Sequence, residues 1–148
     1  MHFKKIKKHI DIEASSEKVW EVLVTPASYE IWAVGFSKRS LVKTDWQEGS
    51  SVVFTDSMNS GLFGIIERNI NSEFLSITYK GVVENGVQDE LGEKAQRVKN
   101  ARDSYSLSSK DAGTRLKIES DVEEKYFNIK TKSWDKALNI IKDLSEIK

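Results

Sequence analysis

The C-terminal segment constrains the fold of this chain more than any other part of the sequence. From about Asn128 to Ile147, apolar residues recur at helical spacing and polar residues occupy the opposite side. The apolar stripe consists of Phe127, Trp134, Leu138, Ile141 and Leu144, and the polar side carries Lys132, Lys136, Asn139 and Lys142. At about 1.5 Å per residue, such a helix is roughly 30 Å long. A helix of this length can cross a whole sheet, so we expect the preceding chain to supply that sheet.

Much of the preceding chain alternates between apolar and polar residues, as strands with one buried face do. Leu75, Ile77 and Tyr79 show this most clearly, because every residue between them is polar. In the opening segment, Lys8 interrupts the apolar face, so we expect that strand at a frayed end or near a sheet edge. The strands are predicted at residues 3–12, 41–46, 51–56, 62–70, 75–79, around 105–107, and 115–120.

Two short helices are predicted between the first strand and the second. Ser15 is a suitable N-cap for the first helix, and Glu17 in its first turn suits the helix dipole. Pro26 disfavours helical geometry at Thr25, so the first helix should end there. Thr25 can then cap a second helix that has proline at its first position.

Residues 88–100 are rich in charge and poor in apolar side chains, so we expect an exposed loop that leads into a strand. The acidic residues Asp89, Glu90 and Glu93 lie within it. They lack the regular ligand spacing and the glycine of a calcium-binding loop. We therefore interpret them as solvated loop residues.

The composition excludes several classes of function. The 148 residues suit one domain with its own core, so we expect residues 1–148 to form a single domain. The 23 basic and 23 acidic side chains balance, whereas a nucleic-acid-binding surface normally shows a basic excess. The sequence contains no cysteine, which excludes disulfides, thiolate nucleophiles and cysteine-ligated zinc. We expect no nucleic-acid partner.

The opening residues MHFKKIKKHIDIE are basic but do not run into an apolar block. This pattern fits neither a signal peptide nor a membrane anchor. No apolar stretch approaches the length of a spanning helix. We therefore expect a cytoplasmic protein without membrane insertion.

Few residues could carry out chemistry. His2 and His9 are the two histidines, and both are expected at the surface. Asp56 and Asp103 share strand faces with apolar residues, which would place them at the wall or mouth of an interior cavity. The simpler interpretation, which we favour, places each just past a strand end in water. We expect no catalytic residue, no metal site and no cofactor.

An ordered set of residues spanning almost the whole chain resembles a known superfamily. It comprises Ala14 to Leu23 after the opening strand, Thr25-Pro26 with Tyr29 and Trp32, Trp46 to Ser50, Gly61, Asn71 to Leu75, Gly113-Thr114, and Trp134 with Leu138. The set resembles the START-like or SRPBCC superfamily, and within it the family of the activator of the heat-shock-protein-90 ATPase. The resemblance implies an α+β helix-grip fold, in which a curved antiparallel sheet grips the long C-terminal helix.

The aromatic residues are the strongest functional signal in the sequence. In a helix-grip fold, the space between sheet and helix is often incompletely filled, which leaves a mostly apolar pocket; the alternative is a packed core. The residues predicted to line such a pocket are Trp32, Phe36, Phe54, Phe63, Tyr79, Asp103, Tyr105, Trp134 and Leu138. Among them, Tyr79, Tyr105 and Asp103 are the polar groups expected to orient a ligand.

Three functions compete, because members of the superfamily include ligand carriers, co-chaperone domains and enzymes. The leading hypothesis is the binding of a small apolar or amphipathic ligand. The second is an interaction domain with a chaperone partner, and a homodimer is also left open. The third is a cyclase-type or hydrolase-type enzyme with Asp103 or Asp56 as general acid or base.

Overall fold

A computed structural model of the protein describes residues 3–147. The strands are β1 (Phe3–Ile12), β2 (Leu41–Lys43), β3 (Ser51–Thr55), β4 (Gly61–Ile70), β5 (Phe74–Glu84), β6 (Val87–Asp89), β7 (Arg102–Lys110) and β8 (Gly113–Glu123). The helices are α1 (Ser16–Val24), α2 (Pro26–Trp32), α3 (Glu93–Val98) and α4 (Phe127–Ser145), with short 3-10 turns at Ala33–Gly35 and Glu124–Tyr126.

The strands form one antiparallel sheet in the order β1-β8-β7-β5-β4-β3-β2, and β6 pairs with β5 beside this path. The expected α+β helix-grip fold is confirmed: two short helices follow the first strand, and the long helix comes last. The register between β4 and β5 shifts after Phe63 and again after Ile66. Such bulges bend a strand and increase its twist, which helps the sheet curve toward the helix.

The predicted N-cap of α1 is confirmed, because the Ser15 side chain accepts a hydrogen bond of 3.1 Å from the Lys18 amide. The helix ends at Val24, and Pro26 opens α2 as expected. Thr25 lies at the N-cap position of α2 but makes no side-chain hydrogen bond there. Its extended backbone, not its hydroxyl group, separates the two helices.

The first strand lies at the edge of the sheet, as the interruption at Lys8 predicts, and it pairs with β8 from Phe3 to Ile12 without fraying. Lys8 forms an ion pair of 3.0 Å with Asp135 of α4. At the other end of α4, the Lys142 ammonium donates to the Asp11 carbonyl at 2.9 Å, and the Glu146 carboxylate accepts from the Glu13 amide at 2.8 Å. These contacts hold the helix across the edge of the sheet.

The core lies between the sheet and the helices. Trp134, Leu138 and Ile141 of α4 are all at most 4% exposed, and they pack against the inner face of the sheet. Burial of such side chains supplies about 1.5–3 kcal/mol each, so α4 is held chiefly by its apolar stripe. Within residues 3–147, no helix is both long enough and apolar enough to cross a membrane.

Residues 88–100 are mostly exposed and lead into β7, as predicted, but they do not form a plain loop. The segment contains the short strand β6 and the helix α3, and Ala95 of α3 is completely buried. A helix of this length is not stable by itself, and its packing against β5 stabilises it. Asp89 helps to start it by accepting hydrogen bonds of 3.0 Å from the Leu91 and Gly92 amides, which lower the pKa of this carboxyl group.

The predicted strand at residues 41–46 is too long, because β2 ends at Lys43. Trp46 adopts a left-handed backbone conformation with φ of 63°, which no regular strand accommodates. The remaining strand predictions agree with the structure apart from their ends.

Candidate functional site

A cavity of about 420 Å³ lies between the first half of α4 and the inner face of the sheet. Strands β3, β4, β5, β7 and β8 contribute to its wall, and α2 with the turn that follows it closes another side. The cavity opens to solvent near Tyr126, which is 43% exposed. Its volume falls in the range of pockets that hold small organic molecules, about 300–1,000 Å³.

Aromatic rings surround most of this cavity. Trp134 of α4 is at the centre of the group, with its ring 6.4 Å from that of Trp32, 5.0 Å from Phe36 and 5.9 Å from Tyr105, measured between centroids. Tyr29, whose ring is 4.8 Å from Trp32, connects this group to the Phe54 ring, which lies 5.7 Å from Tyr29 and 6.1 Å from Tyr79. These spacings are typical of favourable ring pairs, so the wall is both apolar and well ordered.

One carboxyl group, Asp103, faces the interior of the cavity. It accepts a hydrogen bond of 2.6 Å from the Tyr79 hydroxyl group and one of 2.5 Å from the Ser120 hydroxyl group. Strand pairing positions all three, because Asp103 is opposite Ser120 in the register of β7 and β8. The prediction that Asp103 lies past a strand end in water is wrong: it is the second residue of β7, and the inward-facing set of that strand includes it.

Burial dominates the electrostatics of this group. Desolvation raises the pKa of Asp103 above its usual value, although the hydrogen bonds from Ser120 and Tyr79 act in the opposite direction. Burial and the nearby Asp103 charge raise the pKa values of Tyr79, Tyr105 and Tyr29, so all three phenols are protonated at neutral pH.

Lys130 is the one basic side chain among the described residues that line the cavity. Its ammonium group lies 5.6 Å from the centre of the Phe36 ring. Desolvation lowers the pKa of Lys130, and the Asp103 charge offsets part of this effect. A positive charge and a carboxyl group therefore share one apolar cavity.

Seven of the nine residues predicted to line a pocket do lie on the wall of this cavity: Trp32, Phe36, Phe54, Tyr79, Asp103, Tyr105 and Trp134. Phe63 and Leu138 do not. Phe63 follows the inward-facing Leu62 on β4 and therefore lies on the other face of the strand, where its ring is next to Gly81. Leu138 lies one turn beyond Trp134 and is buried in the core.

The other candidate residues have structural surroundings. Asp56 is at the rim of the cavity, but its Oδ1 accepts from the Met58 amide at 2.8 Å and from the Ser60 amide at 3.1 Å, which fixes the turn before β4. His9 is exposed on β1, as expected, and His2 lies outside the described residues. Among residues 3–147, no group of three histidine or carboxylate side chains could hold a metal ion.

The lining residues that were not predicted from the sequence include the polar side chains of Tyr29, Ser120 and Lys130. Ser120 and Lys130 each leave a signal. Ser120 continues the inward-facing series of Leu116 and Ile118, and Lys130 falls on the apolar stripe of α4, three residues after Phe127 and four before Trp134. A polar residue at an apolar position is the informative exception in such patterns.

Comparison with known proteins places this arrangement in a family. Residues 13–146 match the family described as activator of Hsp90 ATPase homolog 1-like protein. The chain belongs to this family. The match covers most of the chain, including every element from α1 to α4, so the resemblance inferred from the sequence is confirmed. No curated protein sequence matches the chain at a significant level.

Solved structures share the fold of this Hsp90 ATPase activator-like chain at low sequence identity. The Aha1 dimer from Colwellia psychrerythraea is 17% identical with a TM-score of 0.74, and the alignment covers 97% of each chain. The AHSA1-like protein from Aeromonas hydrophila is 17% identical with a TM-score of 0.70, covering 97% of this chain and 92% of that one. CalU16 from Micromonospora echinospora is 18% identical with a TM-score of 0.69, covering 97% and 77%.

Proposed function

We propose that this protein binds a small apolar or amphipathic molecule in the cavity between the sheet and α4. The observation that carries the proposal is a cavity of about 420 Å³ whose wall is mostly aromatic and includes a few convergent polar groups. Pockets for small organic ligands commonly combine these features, since apolar contact supplies affinity and the polar groups fix orientation.

The bonding of the polar groups favours binding over catalysis. Both oxygens of Asp103 accept hydrogen bonds from hydroxyl groups, and Asp56 is engaged by the backbone of its own turn. An enzymatic role would need Asp103 as the general acid or base, because the raised pKa makes it the better suited of the two. Asp103→Asn would then abolish turnover, whereas a binding protein would retain its affinity for neutral ligands.

A neutral fluorescent probe, N-phenyl-1-naphthylamine, tests the proposal directly. We expect its emission to rise on binding and to be excited by energy transfer from Trp32 and Trp134, which are on the cavity wall. Leu62→Trp places a larger side chain in the cavity and should weaken binding at least tenfold, about 1.4 kcal/mol.

The matched control for this experiment is Leu91→Trp, because Leu91 is 85% exposed and does not line the cavity. This variant should bind the probe like the wild type. Circular dichroism and thermal melting check that both variants fold. Equal binding by the wild type and Leu62→Trp would exclude the cavity as the binding site, and no binding by the wild type would count against a ligand-binding function.

A second candidate function is action on a chaperone ATPase. It is supported by the description of the matching family. If the protein acts in this way, adding it to the Hsp90 protein of the same organism should raise the rate of ATP hydrolysis. An unchanged rate across a range of concentrations would eliminate this candidate while leaving ligand binding intact.

We also propose that the chain forms a homodimer, on the basis of the Aha1 dimer from Colwellia psychrerythraea. Sedimentation equilibrium should then give twice the mass of the chain, 16.9 kDa. A concentration-independent monomer mass would contradict the proposal.

A further inference from the structure

Two tyrosine hydroxyl groups on the cavity wall have no hydrogen-bond partner in the described part of the chain. Tyr79 donates to Asp103, but neither Tyr29 nor Tyr105 donates from its hydroxyl group to any residue of the described part of the chain. Both hydroxyl groups belong to side chains on the cavity wall. A tyrosine in an apolar site usually has a partner for its hydroxyl group, so these two groups lack an acceptor.

Lys130 has a similar deficit. Within residues 3–147, Lys130 forms no ion pair, and its ammonium group lies 5.6 Å from the centre of the Phe36 ring. A partly desolvated ammonium group without a counter-ion is unfavourable in an apolar cavity. An anionic partner near this position of α4 would therefore stabilise the Lys130 ammonium group.

The acidic groups of the cavity have partners already. Both oxygens of Asp103 are hydrogen-bonded, and Asp56 is held by its own turn. At the rim, Asp121 pairs with Lys5 at 2.8 Å and accepts from the Arg102 amide at 3.0 Å. Glu123 lies 3.9 Å from the Lys125 ammonium group. Each of these carboxylates is therefore engaged by a partner within the protein, whereas the Tyr29 and Tyr105 hydroxyl groups are not.

The three unpaired donors gather around one group of rings. The Lys130 ammonium group lies 5.6 Å from the centre of the Phe36 ring, which is 5.0 Å from the Trp134 ring. The Tyr105 ring is 5.9 Å from Trp134, and the Tyr29 ring is 4.8 Å from Trp32, which is itself 6.4 Å from Trp134. The polar head and the apolar body of a ligand would therefore find their partners in the same part of the cavity.

We infer that the ligand is an amphipathic anion, whose oxyanion head binds Lys130 and the hydroxyl groups of Tyr29 and Tyr105 while its apolar body lies among the aromatic rings. This inference rests on the proposed function and specifies the chemistry of its ligand. Hydrogen bonds to a charged partner are stronger than those between neutral groups, so the head group is expected to select against neutral analogues.

Two probes with the same skeleton separate this inference from the proposed function. 8-Anilinonaphthalene-1-sulfonate carries an anionic head, and N-phenyl-1-naphthylamine lacks it. We expect the wild type to bind the sulfonate at least tenfold more tightly than the neutral probe, a difference of about 1.4 kcal/mol. Lys130→Met should abolish this preference and leave the affinity for the neutral probe within about twofold.

Lys130→Arg should retain most of the preference, because it keeps the charge. Lys132→Met is the matched control, since Lys132 is exposed on the same helix and does not line the cavity. If Lys130→Met fails to fold, the double variant Tyr29→Phe, Tyr105→Phe replaces it, and it should also weaken only the sulfonate. Competition between the two probes should show that they share one site.

The outcomes distinguish the two claims. Binding of the neutral probe as tightly as the sulfonate, or an equal loss for both probes in Lys130→Met, would overturn the anionic head while leaving the cavity as a ligand site. Failure of the wild type to bind either probe would overturn both claims.

Discussion

Asp103 shows how a single carboxyl group can determine the electrostatics of a cavity. Its carboxyl group lies beside tyrosine rings and is partly removed from water, and the hydrogen bonds from two hydroxyl groups compensate for the lost hydration only in part. In the folded protein this carboxyl group therefore binds a proton more tightly than in the unfolded chain. Between the two pKa values the folded state holds more protons, so the free energy of unfolding decreases as the pH rises through this window.

Asp103→Asn should remove this dependence. The amide has nearly the same shape, and the Tyr79 and Ser120 hydroxyl groups can rotate to meet it. Relative to the wild type, the variant should become progressively more stable in urea-unfolding experiments as the pH rises from the unfolded-state pKa of the Asp103 carboxyl group through its raised folded-state pKa. Asp143→Asn, at an exposed position of α4, is the control and should show no such trend. A constant difference between Asp103→Asn and the wild type would contradict the burial of this charge.

At the scale of single elements, β4 shows why the sheet can curve. A Cβ atom at Gly64 would overlap the carbonyl oxygen of Thr78 on β5, at the point where the register shifts. Glycine is therefore required by close approach of two backbones, not by a special φ angle. The resulting bend in β4 lies beside Tyr79 of β5, which lines the cavity.

Gly64→Ala should consequently lower the free energy of unfolding by about 2–3 kcal/mol, because the backbones must separate. Gly49→Ala provides the comparison: its added Cβ meets no atom within 4 Å, but its φ is 86°. Only the left-handed strain remains there, about 1 kcal/mol. Chemical denaturation of both variants measures the difference, and equal losses would show that the close approach at Gly64 is relaxed.

The elements also differ in how far the sequence predicts them. The periodicity of α4 and the cap at Ser15 are local signals, and they predict these helices within two residues. The segment containing α3 has no such signal, since its helix depends on packing against β5 and on the amides held by Asp89. Tertiary contacts stabilised an element that local propensity does not favour.

At the scale of the whole molecule, the architecture could be predicted because the order of its elements is distinctive. The cavity was predictable in part: strand parity indicates Phe54, Tyr79 and Tyr105 correctly, whereas Phe63, named only as an aromatic candidate, lies on the other face of β4. Which of two apolar neighbours on β4 faces inward depends on strand register, and the sequence does not encode the register shift beside Phe63 locally. The contact of Ser120 with Asp103 follows only from the pairing of β7 with β8.

The proposed function requires that an apolar ligand occupies the space between the sheet and α4. NMR spectroscopy of the complex with N-phenyl-1-naphthylamine tests it most directly. We expect intermolecular nuclear Overhauser contacts from the naphthyl ring to both Trp134 of α4 and Phe54 of β3, which line the cavity from different elements. Contacts only to exposed residues such as Leu91 or Ile147, with none to these two rings, would contradict it.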